Sequence, residues 1–369
     1  MIDYSSENKT TNDKPFPGKI AVITDHPLVN NDDYHGADRL VAKYGSDKIV
    51  HVTWPKEFMT ENEKLHDTVA ALAKDKDIKA LIISQGLQGT NAAIDEFKKM
   101  RDDDVFIVIS SLQEPILDSV RRANLLFDNN QPGMGTAIAN QARKQGAKVF
   151  VHYTFPRHME VKALAARRDA IRQTCTAEGI LFLDFTVPDP TMEAGFNSAR
   201  DFILEDVPKL IAQYGEDVAF FCTCCQLQTP LIQAVMDNHA IYPQPCCPSP
   251  FHGFPEALGI NMEGRQADLG YVLGEASRIA EERNMTDRLS TWPVSASMMF
   301  TNAGAEYAIF WVNGEVPKNV IEREVLVKCM NDLVAEVVGE ASNVYLTSFS
   351  ANGKTYDNYK LVLMSYLDI

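Results

Sequence analysis

From Lys19 onward, short β-branched apolar runs alternate with longer amphipathic stretches. The runs are KIAVITD (19–25), KIVHVTW (48–54), KALIIS (79–84), VFIVIS (105–110) and ANLLFDN (123–129), with helical periodicity over 33–44, 60–75 and 90–101. Strands apolar on both faces, spaced by helices, predict a parallel sheet covered on both sides. The pattern restarts after Gly146 with AKVFVHYT (147–154), a helix near 158–178, ILFLDFT (180–186), a helix near 195–213, DVAFFCT (217–223), a helix near 226–238 and AIYPQP (240–245). Further on, 263–284 and 317–338 read as helices and 343–350 and 359–368 as late strands.

The restart lies about 130 residues after the first strand, so it predicts two copies of one fold rather than one wide sheet. The expected class is α/β: two doubly wound Rossmann-like lobes with parallel sheets, a hinge between them and a ligand cleft at their interface. The expected organisation is a polar leader over 1–18, a first lobe over 19–146, a second over 147–262, and late elements over 263–369 that recross the hinge and complete both lobes.

Composition narrows the function. With 369 residues, 45% hydrophobic content and 23% charge, the chain can bury a large core. A net charge of −15 argues against direct nucleic-acid contact and against anionic membranes. No apolar run is long enough to span a bilayer. The start, MIDYSSENKTTNDKPFPGK, lacks a signal-peptide pattern and so predicts a cytoplasmic protein; a signal removed earlier would make it an extracytoplasmic lipoprotein.

In open parallel sheets, ligands bind beyond the carboxyl ends of the strands. That rule selects Asp25 and His26; Gln85, Gly86, Gln88, Gly89 and Thr90; Ser110, Ser111 and Gln113; and Asp128 in the first series. In the second series it selects Tyr153, Phe155, Arg157 and His158; Asp189; and Thr223, Cys224 and Gln226. Hydroxyls, amides and a few charges suit directional hydrogen bonds to a small polar ligand: a sugar, amino acid, nucleoside or carboxylate. At loop 85–90, Gly86 and Gly89 permit a tight turn whose free N–H groups could hold a carboxylate or phosphate; the plainer reading is a simple strand-to-helix turn. Arg157 could grip a carboxylate bidentately, or form a routine salt bridge. No P-loop is present, and Gly133-Met134-Gly135 is at most a weak dinucleotide fingerprint.

The seven cysteines are Cys175, Cys222, Cys224, Cys225, Cys246, Cys247 and Cys329. Structural zinc usually wants two C-x-x-C knuckles, which the seven do not supply, and adjacent cysteines rarely direct both sulfurs at one metal, so neither metal nor cofactor is expected. Cys222 should be buried and inert, while a following helix N-terminus would lower the thiols of Cys224 and Cys225. The stretch QPCCPSPFHG (244–253) is stiffened by Pro245, Pro248 and Pro250, and reads as a hinge, cleft wall or rigid surface loop.

The order of elements resembles the type I periplasmic-binding-protein fold, shared by sugar-binding proteins and the effector domains of the Lac-repressor family. More closely, YHGADRLVAKYGSDKIVHVTWP (34–55), VFVHYTFPRHM (149–159), FILEDVPKLIAQYG (202–215) and PCCPSPFHGFPEALGI (245–260) resemble an uncharacterised bacterial family of binding-protein-like proteins. The resemblance implies a two-lobed binding or sensing module that closes around its ligand. Regulators of this fold carry an N-terminal DNA reader, which the residues before Lys19 do not resemble, so a regulatory role would be that of a sensing part. A homodimer or a separate partner protein is compatible with that role. The competing reading is an enzyme using Cys224, Cys225, His158 and Asp189, and fold alone does not decide between them.

Overall fold

The structure is a computed structural model that describes residues 15–27, 31–56, 62–192, 195–340 and 342–369. Residues 1–14 of the expected leader and the first two residues of the expected 60–75 helix lie outside the described residues.

In chain order the elements begin with β1 (Lys19–Thr24), α1 (Asn31–Tyr44), β2 (Ile49–Thr53), α2 (Asn62–Lys74), β3 (Ile78–Ile83), α3 (Thr90–Lys99), β4 (Phe106–Ser110), α4 (Ile116–Ser119) and β5 (Leu125–Asn129). Then come α5 (Gln131–Lys144), β6 (Val149–Thr154), α6 (Pro156–Glu160), α7 (Lys162–Ala177), β7 (Leu181–Thr186), α8 (Gly195–Tyr214) and β8 (Val218–Cys222). They continue with α9 (Gln228–Asp237), α10 (Phe254–Leu258), α11 (Leu269–Glu282) and β9 (Ser290–Thr291). The last are α12 (Ala296–Val312), α13 (Arg323–Val338), β10 (Val344–Ala351), β11 (Lys354–Met364) and β12 (Leu367–Asp368).

Two compact units result: Met1–Asn129 with Ala296–Met364, and Asn130–Ser295 with Ser365–Ile369. The division falls at Asn129/Asn130, so α5 goes with the second unit, whereas the periodicity set the boundary after Gly146.

The first unit holds a seven-stranded sheet of order β10-β11-β5-β4-β3-β1-β2. Its strands pair in parallel except β10, which runs antiparallel to β11. β1, β3 and β4 are almost wholly buried, as strands covered on both faces must be. Helix α12 is buried nearly all round, and its Gly304 lies where a Cβ would meet Val108 at 3.0 Å.

The second unit is built on the parallel sheet β7-β6-β8. Its core joins Val151, Tyr153, Phe220 and Cys222 to Ile203 and Val207 of α8 and to Leu231 and Val235 of α9. On another side α5 packs on α7 so tightly that a Cβ on Gly135 would sit 2.3 Å from the carbonyl oxygen of Arg167. The pair Gly133 and Gly135 therefore belongs to helix capping and packing: Asn130 accepts the Gly133 N–H at 3.0 Å, and Gly135 admits α7. The expected strand at 240–245 is reduced to isolated bridges through Ile241 and Tyr242, because Pro243 and Pro245 remove ladder donors. The expected 158–178 helix breaks at Val161, whose extended backbone (ψ 107°) separates α6 from α7.

Candidate functional site

In the first unit the register Ile23↔Ile83, Ile83↔Ile109 and Ser110↔Phe127 aligns the carboxyl ends of β1, β3, β4 and β5. Asp25, Gln85 and Ser111 follow the ends of β1, β3 and β4, and Asp128 is the last residue but one of β5. Asp25 is buried, its N–H donates to Asp33 Oδ2 at 3.0 Å, and its own Oδ1 has no partner among the described residues. Burial raises the Asp25 carboxyl to about 6 and that of Asp33 to about 7. Asp128 is also lifted to about 6 by burial, against hydrogen bonds from the Asn129 N–H and the Tyr359 hydroxyl. Asn129 Oδ1 and Asn91 Oδ1 are further buried acceptors without a partner among the described residues.

Several expected contacts are committed elsewhere. Glu114 Oε1 and Oε2 accept the N–H groups of Gly89 and Asn91 at 2.9 and 2.6 Å. The α3 terminus thus already holds an internal carboxylate, which agrees with the plainer of the two readings, a strand-to-helix turn. Gly86 is packed, since a Cβ there would meet Ile109 at 2.8 Å. The Ser110 hydroxyl donates to the Ser84 carbonyl at 2.8 Å. Thr90 is buried, Gln88 and Gln113 are exposed, and His26 is half-buried. Ser111 adopts a positive φ of 51°, with its N–H on the Phe127 carbonyl.

In the second unit the loops after β6, β7 and β8 bring Arg157, His158, Asp189, Thr223 and Gln226 to one end of the sheet. Arg157 is engaged by Asp189, with Nε to Oδ2 at 3.0 Å and Nη2 to Oδ1 at 3.4 Å, and by Thr191 Oγ1 at 2.6 Å. The guanidinium is thus held in an exposed salt bridge, and it keeps the Asp189 carboxyl far below the usual range. His158 Nδ1 lies 3.0 Å from Thr223 Oγ1, and burial lowers its basicity. Gln226 is exposed. Tyr153 and Phe155 are core residues rather than cleft walls; the Tyr153 hydroxyl donates to Asp206 Oδ2 at 2.8 Å.

The cysteines divide differently from expectation. Cys222 is buried and its thiol is pushed well above the usual range by desolvation. Cys224 is also buried, and its thiol rises to about 11. The expected lowering by a helix N-terminus is overturned there, because burial outweighs it and the 3-10 turn Cys225–Leu227 stands between Cys224 and α9. Cys225, Cys246 and Cys247 converge: Cys225 Sγ lies 3.4 Å from Cys246 Sγ and 3.2 Å from Cys247 Sγ. Both adjacent sulfurs thus point to one place, contrary to the expected divergence. The hydrogen bonds with Cys225 and Cys246 draw the Cys247 thiol well below its ordinary range.

Three participants gave no periodic signal. Gln228 Nε2 donates to the Cys224 carbonyl at 2.9 Å, while its Oε1 accepts from the Tyr242 hydroxyl. His152 Nδ1 pairs with Asp184 Oδ1 at 2.9 Å between Phe182 and Phe221. Arg167 is buried with its guanidinium 5.0 Å from the Phe221 ring centroid.

A family model described as "Protein of unknown function (DUF3798)" matches residues 18–290. The chain belongs to that family. Two Treponema pallidum (strain Nichols) proteins, each described as an uncharacterized protein, resemble this DUF3798 member. One is 32% identical over 166 residues, covering 45% of this chain and 76% of the relative. The other is 30% identical over 177 residues, covering 46% and 80%. Among solved structures, a Clostridium difficile 630 protein provisionally named a transcriptional regulator matches with a TM-score of 0.85 at 20% identity, covering 96% of this chain and all of that one. A sugar ABC transporter protein from Actinomyces odontolyticus ATCC 17982 matches at 0.55, with 9% identity and coverage of 81% and 84%. The substrate-binding protein of a sugar ABC transport system from Bordetella parapertussis 12822 matches at 0.53, with 9% identity and coverage of 95% and 89%. These likenesses establish the type I periplasmic-binding-protein fold for the DUF3798 chain. No helix among its described residues is long and apolar enough to cross a membrane.

Proposed function

We propose that this protein binds a small, hydrogen-bond-donating polar molecule, a polyol, sugar or amine, at the carboxyl end of the sheet in its first unit. One observation carries the reading. Asp25 Oδ1, Asn129 Oδ1 and Asn91 Oδ1 are buried acceptors without a partner among the described residues, and they lie just after β1, at the last residue of β5 and in the first turn of α3, all in one unit. A buried acceptor left unpaired costs about 1–3 kcal/mol, so a ligand supplying donors is favoured over one supplying acceptors. Anionic ligands are disfavoured at the same end, because Glu114 occupies the α3 terminus and two raised carboxyls add negative charge on ionising. The fold relatives named for sugar transport support the same ligand class.

A second reading, a sensing part that acts through a partner, draws on the provisional name of the Clostridium difficile relative. The net charge of −15 favours a protein partner over direct DNA contact.

A thermal-shift panel of sugars, polyols, amines, amino acids, nucleosides and carboxylates tests the proposal. Saturation at about 100 times Kd adds about 2.7 kcal/mol, or roughly 5–10 °C in Tm for units of this size. The expected response is confined to donor-rich compounds. A response confined to carboxylates or phosphates contradicts the assignment.

A further inference from the structure

Three thiols meet in the second unit from two segments of chain. Cys225 opens the turn after β8, and Cys246 and Cys247 lie 21 and 22 residues further on. The sulfurs stand 3.4, 3.2 and 3.9 Å apart, all within one 4.8 Å sphere of separations. Pro245 and Pro248 bracket the adjacent pair. Their fixed φ angles restrict the backbone on both sides and hold the two sulfurs toward Cys225.

We propose that Cys225, Cys246 and Cys247 bind one zinc ion as a three-thiolate site bordered by His252. Thiolates about 2.3 Å from a tetrahedral zinc stand about 3.8 Å apart, so the observed triangle needs only a small expansion to admit the ion. Soft sulfur donors select zinc over calcium or magnesium. Cys246 is buried while Cys225 and Cys247 reach solvent, which gives the ion an entry path and leaves the fourth position on the open side. His252 lies against the Cys225 and Cys247 thiols.

A second, independent feature points the same way. Arg167 is 1% exposed, and its Nη1 donates to the Cys246 carbonyl at 2.9 Å and to Gln131 Oε1 at 3.0 Å. Its Nε and Nη2 have no hydrogen-bond partner among the described residues. Burying a guanidinium without a counter-charge is costly. Zinc binding requires all three sulfurs as thiolates, so a divalent ion with three thiolates carries a net charge of −1 beside this cation. The zinc-loaded cluster and Arg167 therefore neutralise each other.

The test uses the full chain, purified under reductant, stripped with a chelator and titrated with zinc against a chromophoric competitor. Cobalt(II) is titrated in parallel. The expected result is one equivalent of zinc, release of protons, and a thiolate-to-cobalt charge-transfer band in the near ultraviolet. C225S/C247S, which alters two solvent-exposed positions, should lose both signals while keeping its circular dichroism. His252→Ala should weaken zinc by about 10–100-fold, the usual effect of removing a ligand's neighbour or the fourth ligand. C175S/C329S should bind as the unaltered chain does. Failure of the fully reduced chain to bind zinc, or equal binding by C225S/C247S, overturns the proposal. So does a Cys225–Cys247 disulfide, mapped by mass spectrometry, that forms while zinc is present in excess.

Discussion

The Glu114 carboxylate bridges the backbone N–H groups of Gly89 and Asn91, at 2.9 and 2.6 Å, and so fills the N-terminus of α3 from within the chain. An end that would otherwise attract anions is thereby closed to them, because its donors and positive dipole are already paired. E114A should destabilise the first unit by about 1–2 kcal/mol, as loss of a cap does. It should also make that unit responsive to phosphate, with Tm rising more in the variant than in the unaltered chain. Equal phosphate responses would show that Glu114 does not hold that terminus.

Asp25 and Asp33 give the first unit a distinctive pH dependence. Burial raises their carboxyls to about 6 and about 7, above the unfolded value near 4. A raised carboxyl pKa means that the folded state holds the proton more tightly. The associated stability is therefore present below pH 4 and is lost as pH rises through 6 to 7. The exposed ion-paired carboxylates Asp95 and Asp103 are shifted the other way and lose their contribution only as pH falls below about 4. Between pH 5 and 7 the unit should thus weaken with rising pH, and D25N should remove on the order of 2 kcal/mol of that slope. Denaturant titrations at pH 5, 6 and 7 measure it; identical slopes for both proteins would refute the buried-carboxyl account.

Gly135 sets the approach of α5 to α7. An added methyl would lie 2.3 Å from the Arg167 carbonyl oxygen and 2.8 Å from Ala170 Cβ, and backbone cannot yield cheaply. G135A should cost about 2–3 kcal/mol by overpacking, despite alanine's better helix propensity. A neutral or stabilised G135A in urea denaturation would mean that the helices separate without penalty.

How far the sequence was legible follows from these residues. β1, β3 and β4 were visible because they are apolar on both faces, and the restart at β6 marked a second sheet. α12 was not, because ASMMFTNAGAEYAIFWV is buried on nearly every side and so lacks a polar stripe. The strand-end rule selected positions from Asp25 to Asp128 at one end of the first sheet. It could not tell which side chains were already engaged: Tyr153 by Asp206, Arg157 by Asp189, and the α3 terminus by Glu114, which lies 25 residues beyond Gly89. The thiol triangle was missed because adjacent cysteines were expected to diverge. The clue was the proline on either side of them.

The Arg157–Asp189 pair should matter little to stability. Its guanidinium is 55% exposed, and solvent-screened pairs contribute about 0–1 kcal/mol. R157A should shift Tm by no more than a few degrees in low salt and less in high salt. A large, salt-independent loss would place Arg157 in a role other than this surface bridge.

The central claim, a donor-rich ligand held by the unpaired acceptors Asp25 and Asn129, is tested most directly by isothermal titration calorimetry. The best compound from the thermal-shift panel is titrated into the unaltered chain, D25A and N129A. The account predicts one ligand per chain, with affinity reduced about tenfold or more in each variant, since each loses a buried hydrogen bond worth about 1–3 kcal/mol. Unchanged affinity in both variants, each folded as shown by circular dichroism, would contradict it.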